Sequence, residues 1–357
     1  MTAVLLLGDF PSTGVLGAAP AQRVTLPAEA RGAPTFLDLV AAELDTRAAV
    51  LVLYPSWRPA EAGRLVALAR AARLTDRVAA LPLALPPLAL SLVADQLAFA
   101  APYVQAGVLA SLAVRLVGSV YAGAWVNSVT HLEHVPTGLG AHVSSFLPRS
   151  GFSVCAAPEG GVHRITDARP VQAIAARPPA PVRLIVAPSG GDVEWVRREL
   201  FPAVGASSAV EVPAQPLGTE FWGTKRYAEF VAFSAHAQAL HSTLRAMAYR
   251  RCTWCGEAAD LPACPFCAMP LPPAPPSPPA AAPQGGGPFQ AAAPAPPRTV
   301  PDAPAAPPPP AVTRPETPRP VVPLAAPAAP PPAPPDPDDD EWPGRTDTVS
   351  FGSPKDR

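Results

Sequence analysis

Four short runs of the chain are apolar on both faces along most of their length. They are AVLLL (Ala3–Leu7), AVLVLY (Ala49–Tyr54), VRLIVA (Val182–Ala187) and EFVAF (Glu229–Phe233). A strand with one face in water alternates apolar and polar residues; a strand apolar on both faces must be covered on both. Helical patterns lie between these runs. Leu37, Val40, Ala41 and Leu44 share one face. Leu65, Leu68, Ala69 and Ala72 share another, with Arg64 and Arg73 turned away. Val193, Val196 and Leu200 form a third, opened by Gly190 and Gly191, with Asp192 as its cap. Strand and helix in alternation predict an α/β fold, a mostly parallel sheet flanked by helices.

Composition removes part of the 357 residues from that core. Of 54 prolines, 29 fall between Pro270 and Pro337 without a repeat period, the composition of a disordered segment rather than of a collagen. The net charge is -1. The last 88 residues carry nine acids and six bases, so the first 269 sum to +2. So balanced a charge gives no nucleic-acid or membrane-surface signal. The start, MTAVLLLGDF, lacks the basic region of a secretory signal, and Asp9 ends its apolar run. Gln96 to Val114 is free of charge but carries Pro102, Gln105 and Tyr103. It predicts a buried helix pair broken at Pro102 rather than a membrane span. A cytoplasmic location, with reduced thiols, is the expectation.

Four of the five cysteines sit in CTWCGEAADLPACPFC, as Cys252, Cys255, Cys264 and Cys267. Two C-x2-C pairs eight residues apart can each form a tight turn, and two such turns close a tetrahedron of sulfur around one metal ion. Gly256 follows the first pair; Ala268 stands at the equivalent place after the second. The stretch resembles the short zinc ribbons appended to many bacterial proteins, and the resemblance implies a structural zinc held by these four residues. Trp254, Leu261 and Phe266 are expected to pack the ribbon on the α/β region.

The predicted organisation is an α/β region over 1–250, a zinc ribbon over 251–270 and a disordered tail over 271–357. RVTLPAEARGAPTF (Arg23–Phe36) echoes AVEVPAQPLGTEF (Ala209–Phe221), which suggests related halves over 1–166 and 182–250 with a linker at 167–181. The tail ends in an acidic stretch with Trp342 and Phe351, expected to bind a protein partner of unknown identity.

Chemistry is less legible. Asp9, Ser56, Ser189, Ser234 and His236 fall at predicted strand ends, where α/β sheets bind ligands. GDFPSTGVLG (Gly8–Gly17) matches neither a P-loop nor G-x-G-x-x-G. His131, Glu133, His134, His142 and His163 follow no helical zinc motif. No catalytic residue is assigned. The main expectation is a non-enzymatic adaptor with a zinc ribbon and a docking tail. The alternative is an α/β enzyme or small-ligand-binding protein with an appended ribbon.

Overall fold

The computed structural model describes residues 1–17, 20–25, 33–138, 151–174 and 176–273, all within one compact unit, Met1–Gln284. The proposed partner residues Trp342 and Phe351 lie outside the described residues, as do His142 and part of the echoed segment Arg23–Phe36.

The first sheet is parallel. Strands β1 (Thr2–Leu7), β2 (Gln22–Val24), β3 (Ala49–Pro55) and β4 (Val78–Leu83) run in the order β2-β1-β3-β4. The central strands β1 and β3 are buried along their whole length, as their unalternating sequences require. Their side chains divide between two cores with a period of two. Ala3, Leu5, Leu7, Val50 and Val52 pack on α1 (Ala33–Thr46) and α2 (Pro59–Arg73). Val4, Leu6, Leu51 and Leu53 pack on α3 (Pro87–Ala100) and α4 (Ala106–Val117).

The second sheet is mixed. Strands β5 (Tyr121–Val126), β6 (Phe152–Ala157), β7 (Gly161–Arg164), β8 (Val182–Ser189), β9 (Ala206–Glu211) and β10 (Tyr227–Ser234) run in the order β7-β6-β5-β10-β8-β9. Only β8 and β9 pair in parallel. One face of this sheet joins the α3–α4 core through Ala122, Ile185, Ala187, Val231 and Phe233. The other packs on α5, whose contiguous segments are Val193–Trp195, a π-type turn Val196–Leu200 and Phe201–Val204. As expected, Asp192 caps it, accepting from the Trp195 amide at 2.9 Å. Short α6 (Gly218–Trp222) and amphipathic α7 (Ala237–Ala246) complete the helices.

The pair α3–α4 is therefore an inner layer between two sheets. Twelve of the fourteen residues of α3 are buried, so the helix can be apolar all round. Pro102 lies in the turn between the two helices, as the sequence predicts. Among the described residues no helix is long and apolar enough to cross a membrane.

An inner helix with a charge needs a partner for it. Asp95 of α3 accepts from Ser12 Oγ at 2.8 Å, from the Ala21 amide at 3.1 Å and from Arg23 Nη1 at 2.6 Å. Arg23 also donates to the Phe10 and Ser91 carbonyl oxygens. This network ties the glycine-dotted loop after β1 to α3, which accounts for that loop without any phosphate chemistry. Asp95→Ala strands a mostly buried guanidinium and is expected to cost about 3–5 kcal/mol. Urea unfolding of the variant against the parent reads that loss.

The ribbon docks on α4. A two-residue ladder pairs β11 (Arg250–Arg251) with β12 (Ala258–Ala259). The two cysteine turns are built alike: the Gly256 amide donates to the Cys252 carbonyl and the Ala268 amide to the Cys264 carbonyl, each at 3.0 Å. Both turns need the left-handed region, with φ 75° at Gly256 and 61° at Ala268. Glu257 accepts from the Gly107 amide at the start of α4, the Asp260 amide donates to Ser111, and Arg115 pairs with Asp260 at 2.6 Å. A side chain at Gly107 would run into the Ala258 carbonyl, so α4 and the ribbon meet backbone to backbone. Phe266 is buried and Leu261 packs beside it, as expected; Trp254 is instead 75% exposed.

Candidate functional site

The residues proposed at the strand ends do not converge. Ser189 ends β8, Ser234 ends β10, and His236 lies two residues beyond it. These strands are antiparallel, with Ala228 opposite Pro188 and Ser234 opposite Val182. Ser189 and His236 thus sit at opposite ends of an eight-residue strand pair, about 30 Å apart. Ser189 donates to the Lys225 carbonyl at 3.0 Å. Asp9 is exposed and Ser56 only half-buried, on the loops after β1 and β3. No Ser-His-Asp arrangement forms among them.

Three of the five histidine-stretch residues share a single open cleft. His131, Glu133 and His134 line a 730 Å³ cleft with Trp57, Thr219, Glu220, Gly223, Thr224 and Lys225. It lies beyond the carboxyl end of β3. The Trp57 ring stacks on His134 with centroids 5.2 Å apart, and Phe221 tilts against both. The aromatic faces are thus used on one another. Arg58 closes the rim with a two-pronged ion pair to Glu220, its Nε 2.7 Å from Oε1. His163 is elsewhere, on β7, against the Arg169 carbonyl. Glu220 is thus held by Arg58, and the aromatic rings of Trp57 and His134 are held by each other and by Phe221.

A second cavity, of 410 Å³, opens at the other end of β10. Its inner wall is buried: Gln96 from α3, Leu116 from α4, Val120 after it, and Phe233 from β10. Pro179, Ala180 and Pro181 form one side. Helix α7 forms the cover through Ala239, Leu240, Ser242 and Thr243, and none of its residues is fully buried. The helix is amphipathic and turns its apolar residues inward. Two of the lining residues carry polar atoms without a partner. Gln96 Oε1 and Ser234 Oγ are both shielded from solvent, and neither has a hydrogen-bond partner. Both atoms are closed to the cavity as well as to bulk water, so they belong to the packing behind its wall. The cavity falls in the range of about 300–1,000 Å³ typical of small-molecule sites, and its wall has their character, mostly apolar with a few placed polar groups. Sequence reading reached Ser234 and His236 here and missed Gln96. The available signal was a glutamine inside a charge-free run that folds as an inner helix.

Glu229 is a separate buried group between the layers. It is fully buried at the centre of β10, and its Oε1 accepts from the Leu88 amide in the first turn of α3 at 2.8 Å. Burial pushes its pKa up to about 8, against the opposing pull of the Leu88 amide and the Trp222 indole. An unfolded glutamate is ionised above about 4.5, whereas the folded one holds its proton to about 8. Between those values the native state binds the extra proton, so this group makes stability fall as pH rises, by up to about 1.4 kcal/mol per pH unit. Glu229→Gln keeps an acceptor for Leu88 and removes the charge. The variant is expected to gain stability relative to the parent as pH goes from 5 to 8, read by urea unfolding at each pH.

The four thiols named by the sequence do come together. All four Sγ atoms lie within 4.8 Å of one another, with Cys252 to Cys267 and Cys255 to Cys264 each at 3.4 Å and Cys255 to Cys267 at 3.7 Å. Arg250 and Arg251, which flank them, donate to the Leu261, Pro272 and Gly256 carbonyl oxygens. They brace the ribbon's backbone.

No family model and no curated protein sequence matches the chain. Solved structures do. A DegV-family protein from Corynebacterium glutamicum matches 66% of this chain and 97% of its own at 15% identity, TM-score 0.47. A DegV-family protein from Thermus thermophilus, described for its fatty acid binding, matches 65% and 99% at 14% identity, TM-score 0.47. A stearic-acid-binding protein from Eubacterium ventriosum matches 68% and 100% at 9% identity, TM-score 0.47. The adaptor expected from the sequence is corrected here. The ribbon is docked on α4 instead of standing free as an interaction device, and a cavity of ligand size with a buried inner wall opens at the end of β10. Of the two sequence readings, the small-ligand binder is the one carried forward.

Proposed function

We propose that the chain is a small-ligand-binding protein, and that its ligand is a largely aliphatic molecule with one polar group, held in the cavity between α3, α4, β10 and α7. The observation that carries this reading is the 410 Å³ cavity itself, whose buried inner wall of Leu116, Val120 and Phe233 offers an aliphatic chain an apolar surface. Leu116, Val120, Phe233 and Leu240 supply the apolar surface, and burying an alkyl chain against them stabilises the complex by about 0.8 kcal/mol per methylene. Fatty acids, the ligands named for several of the matching structures, are one member of this chemical class.

The four thiols would hold one zinc ion with a structural role. Four sulfurs at about 2.3 Å from a zinc ion lie about 3.8 Å apart, close to the separations of 3.4 and 3.7 Å found here. Four protein ligands leave no open coordination position, so the metal braces the fold and takes no part in ligand chemistry.

Thermal melting of the purified full chain with saturated aliphatic ligands of graded length tests the main reading. A ligand present at 100 times its Kd adds about 2.7 kcal/mol and raises the melting temperature by several degrees. The expected result is a length optimum, since a closed inner wall rejects chains too long for it. No shift with any length overturns the assignment.

A further inference from the structure

We infer that zinc in the ribbon latches the cover of the ligand cavity, so that metal loading and ligand binding are coupled; this rests on the readings of the cavity as the ligand site and of the four thiols as one zinc site. The ground is where the ribbon is attached. It reaches two walls of the cavity at once, α4 through side-chain contacts and α7 through the chain itself.

On α4 the ribbon holds successive turns. Glu257 accepts from the Gly107 amide, the Asp260 amide donates to Ser111 Oγ at 2.8 Å, and Arg115 pairs with Asp260. The residue after Arg115 is Leu116, which lines the cavity, and Ser119 and Val120 line it just beyond the helix. The last turn of α4 thus meets the ribbon and the cavity at adjacent residues.

On α7 the attachment is covalent and short. Met247, Ala248 and Tyr249 are all that separate the end of α7 from Arg250, where the ribbon's ladder begins. Tyr249 Oη donates back to the Leu244 carbonyl in the last turn of α7 at 2.6 Å. Met247 is buried in the same cluster as Cys252, Cys264 and Phe266. At the other end, the Ala235 amide donates to the carbonyl of Pro181, on the cavity's side wall, at 2.8 Å. Between these ends Leu240 and Leu244 are only partly buried, and no residue of the helix is fully buried. A helix of ten residues is marginal in water by itself, so α7 keeps its order through its docking and its two ends.

Without metal the ribbon has too little core to keep its shape. One end of α7 then hangs on loose chain, and the cavity loses its cover of Leu240 and Thr243. The metal touches no ligand; it acts through the residues that join it to α7 and α4. The coupling is reciprocal, so a ligand that needs α7 in place also holds the zinc.

The test compares full-length protein loaded with zinc, the same protein stripped by a chelator, and a zinc-loaded variant with Gly-Ser-Gly-Ser inserted between Ala248 and Tyr249. The insertion slackens the hold on α7 and leaves the thiols and the contacts to α4 in place. Hydrogen exchange over 237–246 is expected to be about tenfold faster in the stripped and the inserted protein than in the loaded parent. Unchanged exchange in β1 and β3 shows that the fold persists. Equal protection of α7 in all three overturns the inference. Tetradecanoic acid serves as the ligand probe. It is expected to bind the loaded parent about tenfold tighter than the other two, and to slow zinc release to a dye chelator in the parent but not in the inserted variant. Equal affinity for loaded and stripped protein, with zinc release unchanged, overturns the coupling and leaves the ligand site standing. No binding to the loaded parent overturns the ligand reading and the coupling with it, while faster exchange of α7 on stripping still upholds the metal's hold on that helix.

Discussion

Replacing Cys252 and Cys255 with serine is expected to lower the melting temperature of the protein by about 6–20 °C, and a strong chelator is expected to do the same to the parent. A structural zinc contributes on the order of 10–16 kcal/mol to isolated zinc-binding peptides. A ribbon of about twenty residues has too little core to fold without it. Its loss does not stop at the ribbon. Cys252, Ala259, Cys264, Phe266 and Leu271 belong to the same buried cluster as α3 and α4. Unfolding them exposes one flank of the inner layer, strips Glu257 from the start of α4 and frees Arg115 from Asp260. A loss of about 3–5 kcal/mol follows from opening that flank, and for a unit of this size each kcal/mol is worth about 2–4 °C. Melting with and without chelator, beside a metal count near one zinc per chain, checks it. A metal-free protein whose melting ignores both the chelator and the serines would remove the zinc from the account.

The second large effect is on binding. Ala239→Trp is expected to weaken aliphatic-ligand affinity at least fiftyfold with little loss of stability. Ala239 lines the cavity from α7, a helix that buries no residue completely, so the added ring can enter the cavity without displacing a packed neighbour. Filling a ligand-sized space removes most of the apolar contact that gives the affinity. Thermal melting of the variant alone checks the fold, and calorimetry checks the binding. Unchanged affinity in a folded variant places the ligand somewhere else.

The sequence makes parts of this fold legible because burial leaves a direct mark. β1, β3, β8 and β10 are unalternating where they are covered on both faces, and the charge-free run around Pro102 folds as the inner helices α3 and α4. Faces are harder to place than elements. On α2 the expected face held Leu65, Leu68, Ala69 and Ala72, but Leu68 is exposed and Ala62 and Val66 are buried instead. The helix is rich in alanine, whose small side chain marks a face weakly. β5 and β9, with Gly123 in one and two serines in the other, lacked a strand signature. The site was illegible for a topological reason. Strand ends converge in an all-parallel sheet, which drew Ser189 and His236 together on paper; β10 runs against β8 and puts them at opposite ends. The cysteines needed no topology, because their ligand geometry is set by local spacing alone.

Photo-crosslinking with a long-chain alkyl diazirine, followed by peptide mapping, tests the central claim most directly. The cavity predicts adducts on Phe233, Leu116 and the inner face of α7, all lost in Ala239→Trp. Adducts confined to the cleft of Trp57, His134 and Phe221, or spread over the surface without saturation, would contradict it.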